Sequence, residues 1–159
     1  MKVLSSKKAE GYIMPCVLII VLAAIFSGIF VYSASLSKVN VMKENSKIVL
    51  DSFVTQKATE IFNSIKQGND YTEVIDQSRY QSALINFCIL ERDGGNLYST
   101  DTDGKEQFYI SEPVISFKAE HELKLCVSYT MSVPIYFAGA YITSASVPVE
   151  VSSVLTEKF

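Results

Sequence analysis

The sequence predicts an α+β protein: a long N-terminal transmembrane helix continues as an amphipathic stem and is followed by a small antiparallel β-sheet head. Three observations predict this fold: an uncharged apolar run, a helical repeat of apolar residues after it, and an alternation of apolar and polar residues near the C-terminus. The chain has 159 residues, of which 48% are hydrophobic and only 19% are charged. The apolar run carries most of that bias.

The apolar run lies between Glu10 and Lys38 and comprises 27 uncharged residues. As a helix it would reach roughly 40 Å, against a hydrocarbon core of about 30 Å. It is longer than the core of a cleaved secretory signal, about 7 to 15 residues, so we expect it to be retained. Lysines 2, 7 and 8 precede it, which predicts that the N-terminus lies inside and the head outside. Residues 1–11 are then a cytoplasmic leader and residues 12–36 the transmembrane helix.

The stem is predicted over residues 37–67, where apolar residues recur mostly every three to four positions with charged residues between them. Neither proline nor glycine interrupts this stretch before Gly68, which is well placed as a C-terminal cap. One helix of about 55 residues is therefore expected from Tyr12 to Gln67. The apolar residues of the stem are Met42, Val49, Phe53, Ala58, Ile61, Phe62 and Ile65.

The head is predicted over residues 68–159 and begins with a short second helix. Asn69 or Asp70 is expected to cap this helix, with Glu73 at the distance of a capping box. Its buried side is expected to hold Val74, Ile75, Ala83 and Leu84.

From Asn86 onward the sequence predicts strands, because the apolar period changes to two. We expect a hairpin around Asp93-Gly94-Gly95, since glycine pairs suit tight turns. Pro134 is expected to end or bend the strand that alternates most clearly, and Pro148 suits an edge strand. The other expected features are a strand at 107–111, a turn at Glu120-His121, the alternating strand at 123–131 and a last strand at 141–151.

The head offers no constellation for catalysis, so we expect no enzyme activity, cofactor or small-molecule substrate. Its one histidine, His121, lies in a predicted turn, whereas a general base needs a positioned nucleophile and a structural zinc needs about four ligands. Asp101, Asp103 and Glu106 form either an ordinary acidic turn or a set of oxygen ligands for Ca²⁺. From Lys38 onward, 11 Lys and Arg against 16 Asp and Glu give a net charge of −5, which argues against a nucleic-acid partner.

Two of the three cysteines, Cys88 and Cys126, fall in the part expected outside the cell, where disulfides persist. The sequence leaves open whether they form a bridge or remain two buried free thiols. Cys16 lies near the start of the apolar run and follows Met14-Pro15 rather than small residues. It is therefore expected to be an apolar residue of the membrane helix and not a lipoprotein anchor.

Glu10 stands at the mouth of the apolar run, directly after two lysines and one alanine. Its carboxylate can lie at the headgroup level near the positive end of the helix, where it is mildly stabilised. It can also meet a positive partner in the membrane, such as the freed α-amino group of a neighbouring chain. The sequence leaves both alternatives open.

The combination of a basic leader, a glutamate, a long apolar helix with an amphipathic stem and a β-rich head resembles the type IV pilin-like proteins. It is most similar to the TadE-like minor pilins of the Tad (tight adherence) system. Glu10, Tyr12 and Pro15 match the family's glutamate, aromatic residue and early proline at the start of the apolar run. The segment "LCVSYTMSVPIYFAGAYITSASVPVE" is similar to the family's closing pattern of a strand, a proline, an aromatic-glycine stretch and a small-residue strand.

The resemblance implies a structural subunit of a pilus or secretion assembly in a bacterial cytoplasmic membrane. A prepilin peptidase would cut between Ser5 and Ser6, although serine stands where the family usually has glycine. Ala24 and Gly28 would permit close helix packing. The implied partners are other pilins, the assembly platform, the peptidase and membrane lipid. The alternative from a different class is a monomeric, membrane-anchored extracytoplasmic protein that binds a ligand or supports an envelope complex.

Overall fold

The computed structural model describes residues 7–119, 122–137 and 139–155. The chain separates into two compact units, one that ends at Leu36 and one that begins at Ser37. The predicted α+β fold, a long helix followed by an antiparallel sheet, is confirmed. Its elements are α1 (Lys7–Gln67), a 3₁₀ turn (Tyr71–Val74), α2 (Gln77–Cys88), β1 (Glu91–Asp93), β2 (Asn96–Thr100), β3 (Glu106–Ser111), β4 (Val114–Ala119), β5 (Leu123–Phe137) and β6 (Ala140–Val154).

Helix α1 ends where the sequence predicts, at Gly68. This glycine adopts the left-handed conformation, with φ of 72°, which only glycine reaches without a steric penalty. The N–H of Gly68 donates to the Ile65 carbonyl and that of Asn69 to the Ser64 carbonyl, so the last turn is closed by a Schellman motif. The buried positions of the stem follow the helical repeat: Val39, Met42, Ser46, Val49, Leu50, Phe53, Val54 and Ile61.

The second helix begins later than predicted, because two aspartates cap two separate elements. Asp70 accepts from the Thr72 N–H and starts the 3₁₀ turn, whereas Asp76 accepts from the N–H groups of Ser78 and Arg79 and starts α2. Side-chain caps of this kind satisfy the free donors of a helix N-terminus. Helix α2 buries Leu84 as expected but leaves Ala83 exposed.

The prediction of a strand from Asn86 was wrong, because α2 continues to Cys88. Ile89 caps the end of the helix and takes the left-handed conformation with φ of 52°. The first strand is only three residues long and turns at Gly94-Gly95, where Asp93 faces Asn96. Gly94 has a φ of 58° and Gly95 does not have a positive φ, which fits a type II′ hairpin turn.

Strand β5 organises the antiparallel sheet. It pairs with β6 along its whole length on one side, and with β4 and then β3 on the other. Between these two pairings the three residues that follow Ile110 and precede Val114 face two residues of β5, Tyr129 and Thr130. At this irregularity the Ser111 hydroxyl accepts from the Thr130 N–H at 2.9 Å, so the side chain satisfies a donor that the shifted ladder leaves free.

Both prolines of the last hairpin lie where the described strands have a free side. Strand β5 continues through Pro134 instead of ending there, because beyond Ser132 it pairs only with β6 among the described residues. Pro148 lies on β6, which pairs with β5 alone in the same part of the chain, so the predicted edge position is confirmed. The expected turn at Glu120-His121 lies outside the described residues.

The core of the second unit lies between the stem part of α1, helix α2 and one face of the sheet. Leu125, Val127, Tyr129, Met131 and Val133 alternate along β5 and all point into it. At about 25 cal/mol per Å² of apolar surface removed from water, this burial is the main stabilising contribution. The stem helix is therefore part of the head's own core.

Candidate membrane anchor and assembly surface

The N-terminal unit exposes a continuous apolar surface. Four successive residues, Ile19, Ile20, Val21 and Leu22, are all exposed, and at 100° per residue they cover the full circumference of the helix. By length and composition this part of α1 can cross a membrane, and none of its most apolar window is buried. A helix that is apolar on every side is stable only in an apolar environment. The chain thus has a segment compatible with a single transmembrane span.

Three residues predicted to take part in helix packing, Pro15, Ala24 and Gly28, lie on the described part of α1. Pro15 lies inside α1, where it cannot donate to the carbonyl four residues earlier, at Gly11. Ala24 and Gly28 are exposed and lie one turn apart on the same face. A Cβ built on Gly28 meets nothing within 4 Å, so the surface there is open to a neighbouring helix.

The predicted charge-pairing residue, Glu10, lies in the first turns of the described helix, and so does Tyr12. The side chains of both lie outside what the structure describes, and the predicted cleavage flank, Ser5 and Ser6, lies outside the described residues altogether. The carboxylate of Glu10 stands in sequence near the positive end of the helix dipole, which favours an acid there. Its pairing role stays a prediction.

Cys88 and Cys126 are free thiols in this structure, which corresponds to one of the two alternatives that the sequence leaves open. The reason is strand parity. Leu125 and Val127 point into the core against which Cys88 packs, so Cys126, which stands between them on β5, points to the opposite face of the sheet. Burial raises the pKa of the Cys88 thiol to about 11, which keeps it protonated and poorly nucleophilic.

Cys126 is buried on the outer face of the sheet by an ion pair above it. Lys118 on β4 contacts Glu150 on β6, and in the strand register this contact must cross β5 near Cys126. The aliphatic part of a lysine can cover apolar atoms while its ammonium stays in water. This arrangement accounts for the burial of a thiol on the face of the sheet opposite the core.

The acidic turn between β2 and β3 is structural in the described chain. The Asp101 carboxylate accepts from the N–H groups of Asp103 and Lys105, at 2.9 and 3.0 Å. Within the described ranges no three acid, histidine or cysteine side chains gather as a metal site would need. These two hydrogen bonds are what the alternative of an ordinary acidic turn requires of Asp101. His121 lies outside the described residues.

A buried polar cluster that the sequence analysis missed joins the stem to the head. The Ser46 hydroxyl lies 2.8 Å from the Tyr129 hydroxyl, which donates to the Met42 carbonyl at 3.4 Å. The Tyr80 hydroxyl donates to the Ser46 carbonyl at 3.3 Å. Burial raises the pKa of Tyr129 to about 12 and raises that of Tyr80 as well. Because each hydroxyl has a partner, the burial of these polar groups is tolerated.

An open groove of about 760 Å³ runs along the stem beside the last strand. The stem contributes Lys43, Glu44 and Lys47, and β6 contributes Glu150 and Ser152. Lys47 is held by an ion pair with Asp51 at 2.7 Å. Charges of both signs line this groove, so it does not select a ligand of one sign.

Comparisons with known proteins do not add to this picture: no protein-family model, no curated protein and no solved structure matches the chain. The resemblance to TadE-like proteins therefore stays a prediction, carried by Glu10, Tyr12, Pro15 and the closing strands. The exposed apolar part of α1 is the surface that water disfavours most, so it is the surface most relevant to function.

Proposed function

We propose that the protein is a membrane-anchored, pilin-like structural subunit of a Tad-type pilus or a related secretion assembly. One observation carries the proposal: a single helix, α1, joins an apolar segment exposed on all sides to the buried core of the head. The anchor and the head are thus joined within one helical segment. That property suits a subunit that is lifted from a bilayer into a fibre.

The same apolar segment serves two environments in this proposal. Before assembly, lipid covers it, with the N-terminus in the cytoplasm as the leading lysines favour. After assembly, neighbouring helices must cover it, and small residues such as Ala24 and Gly28 let backbones approach closely. Glu10 would offset the buried amino group of a neighbouring subunit, since a charge leaving water favours an opposite partner.

The alternative function is a solitary anchored protein that binds a ligand or supports an envelope complex. The groove beside β6 favours it, because its lining of Lys43, Glu44, Lys47 and Glu150 is open on the head. It gives no role to Glu10. The two proposals can therefore be distinguished by what happens at the N-terminus.

The deciding experiment measures the N-terminus and co-assembly of the full chain in cells with an active prepilin peptidase. The pilin proposal expects peptidase-dependent loss of residues 1–5 by mass spectrometry. It also expects Glu10→Gln to reduce co-purification with other pilins, while Glu44→Gln, an exposed acid of the stem, leaves it unchanged. An intact N-terminus together with unchanged co-purification of Glu10→Gln would favour the alternative.

A further inference from the structure

The far end of the β5–β6 hairpin projects beyond the rest of the sheet. Strand β5 last pairs with β3 at Ser132, and within the described ranges its later residues pair only with β6. We call residues 136–142 the hairpin tip, of which residue 138 lies outside the described set. Gly139 turns the chain there with φ of 83°. The whole stretch from residue 125 to residue 149 contains no charged residue.

The hairpin tip exposes two large apolar residues in succession. Tyr141 is 60% exposed and Ile142 is 58% exposed. Neighbours on a strand normally point to opposite faces, but the register shifts between Ile135 and Tyr136, so this end of the hairpin departs from simple alternation. The Tyr141 ring packs edge-on against Tyr136, with centroids 5.9 Å apart. Two bulky neighbours exposed at an uncharged tip form an apolar projection, which water disfavours.

Contacts within the second unit fix the end at which the hairpin tip lies. Tyr129 on β5 contacts Met42 and Ser46 on the stem. Lys38, nearer the start of the stem, donates to the Gln107 carbonyl at 3.5 Å. Gln107 lies on β3 just beyond the residues that pair with Met131 and Ser132. Moving along β5 toward its tip therefore means moving along the stem toward Ser37.

Element lengths indicate how far the hairpin tip reaches. The eight residue-to-residue steps of β5 from Tyr129 to Phe137 cover about 26 Å at 3.3 Å per step. The eight steps of helix from Ser46 back to Lys38 cover only about 12 Å. Even a strand tilted by about 60° from the stem would bring the tip level with Lys38. Ser37 is bonded to Leu36, the last residue of the apolar unit, so this is the end of the head covalently nearest the membrane.

We propose that the hairpin tip is a second membrane contact, in which Tyr141 and Ile142 enter the boundary between headgroups and hydrocarbon. This inference rests on the membrane anchoring proposed above. Tyrosine is enriched at that boundary because its ring is apolar and its hydroxyl can stay hydrated. A single helix leaves the head free to rotate about its axis, and a second contact removes that freedom.

The lipid expected is a neutral one, because the charges at this end of the head have both signs. Lys105 lies 4.0 Å from the centre of the Tyr136 ring, and Asp101, Asp103 and Glu106 precede or follow it in the chain. Such a mixture gives no net attraction to anionic headgroups. The contact is therefore apolar, and salt is expected to leave it unchanged.

The test places a fluorescent label at the tip of the full chain. Cys16 is first changed to serine (C16S), because it is exposed, and I142C or V154C is then labelled with an environment-sensitive dye. Val154 is the matched control, since it lies at the opposite end of the same strand and is 40% exposed. Each protein is reconstituted in phosphatidylcholine vesicles that contain a spin-labelled lipid quencher.

We expect the label at position 142 to be quenched at least about twofold more than that at position 154, as for a side chain at the membrane boundary. Equal quenching in protein that remains in the vesicles after an alkaline carbonate wash would overturn the tip contact alone. Release of the protein by that wash would overturn the membrane anchor itself, and with it the proposed function. A Y141C label that behaves like I142C would support the proposal from a second position.

Discussion

The stem of α1 is predicted to hold the head together from within, and Leu50→Ala is the sharpest test of that prediction. Leu50 is 0% exposed and belongs to the core shared with the sheet. The substitution removes three carbon atoms, worth about 2 to 3 kcal/mol of lost burial at roughly 0.8 kcal/mol each. The cavity left behind adds to this, so the free energy of unfolding should fall by about 3 to 4 kcal/mol.

The matched control is Ile48→Ala, two residues away on the same helix. Ile48 is 53% exposed, so its truncation should change the free energy of unfolding by no more than about 0.5 kcal/mol. Both variants place alanine in α1, which keeps helix propensity comparable. The difference between them therefore reports which face of the stem is buried.

The assay is urea unfolding of the full chain in detergent micelles, followed by tyrosine fluorescence, since the protein has no tryptophan. With a denaturant slope of about 2 kcal/mol per molar, Leu50→Ala should lower the urea midpoint by about 1.5 to 2 M. Equal midpoints for Leu50→Ala and Ile48→Ala would refute the reasoning, because a stem that only connects two parts would tolerate both changes alike.

Three further predictions concern Tyr129, Cys88 and Gly68. Burial raises the pKa of Tyr129 to about 12, above its value in the unfolded chain, so the stabilising contribution of this tyrosine is complete below about pH 10 and is lost as pH rises toward 12. The urea midpoint of the wild type should therefore fall between about pH 9 and about pH 11, and that of Tyr129→Phe should fall less. Burial raises the pKa of Cys88 to about 11, so maleimide should modify this thiol about 100-fold more slowly near pH 8 in the folded protein than after denaturation. Peptide mass spectrometry can measure both rates, and equal rates would contradict the prediction. Gly68→Ala should destabilise the protein by about 1 kcal/mol because its φ is 72°, whereas Gly95→Ala, at a position without a left-handed φ, should cost less in the same unfolding assay.

The long helix and the alternating strand could be predicted because each depends on a local repeat. The stem shows a three- to four-residue apolar period that stops at Gly68, and β5 shows a period of two from Leu123 to Met131. A residue that caps a helix or breaks it acts through its own backbone, so it marks a boundary in sequence as it does in space. The sequence did not predict the extension of α2 to Cys88, because the apolar and aromatic residues near the end of this helix fit a strand period of two as well as a helical period of three to four.

The sequence by itself determined that this protein has an apolar segment long enough to span a bilayer, a stem with one apolar face and a β-rich head, since these follow from the order of residue types along the chain. Only the tertiary structure decided that Cys88 and Cys126 lie on opposite sides of β5, that Ser46 meets Tyr129, and that the tip with Tyr141 lies at the Ser37 end of the head. These facts depend on which strands pair and in which register. Pairing of distant segments is decided by how the whole core packs, and no local repeat records it.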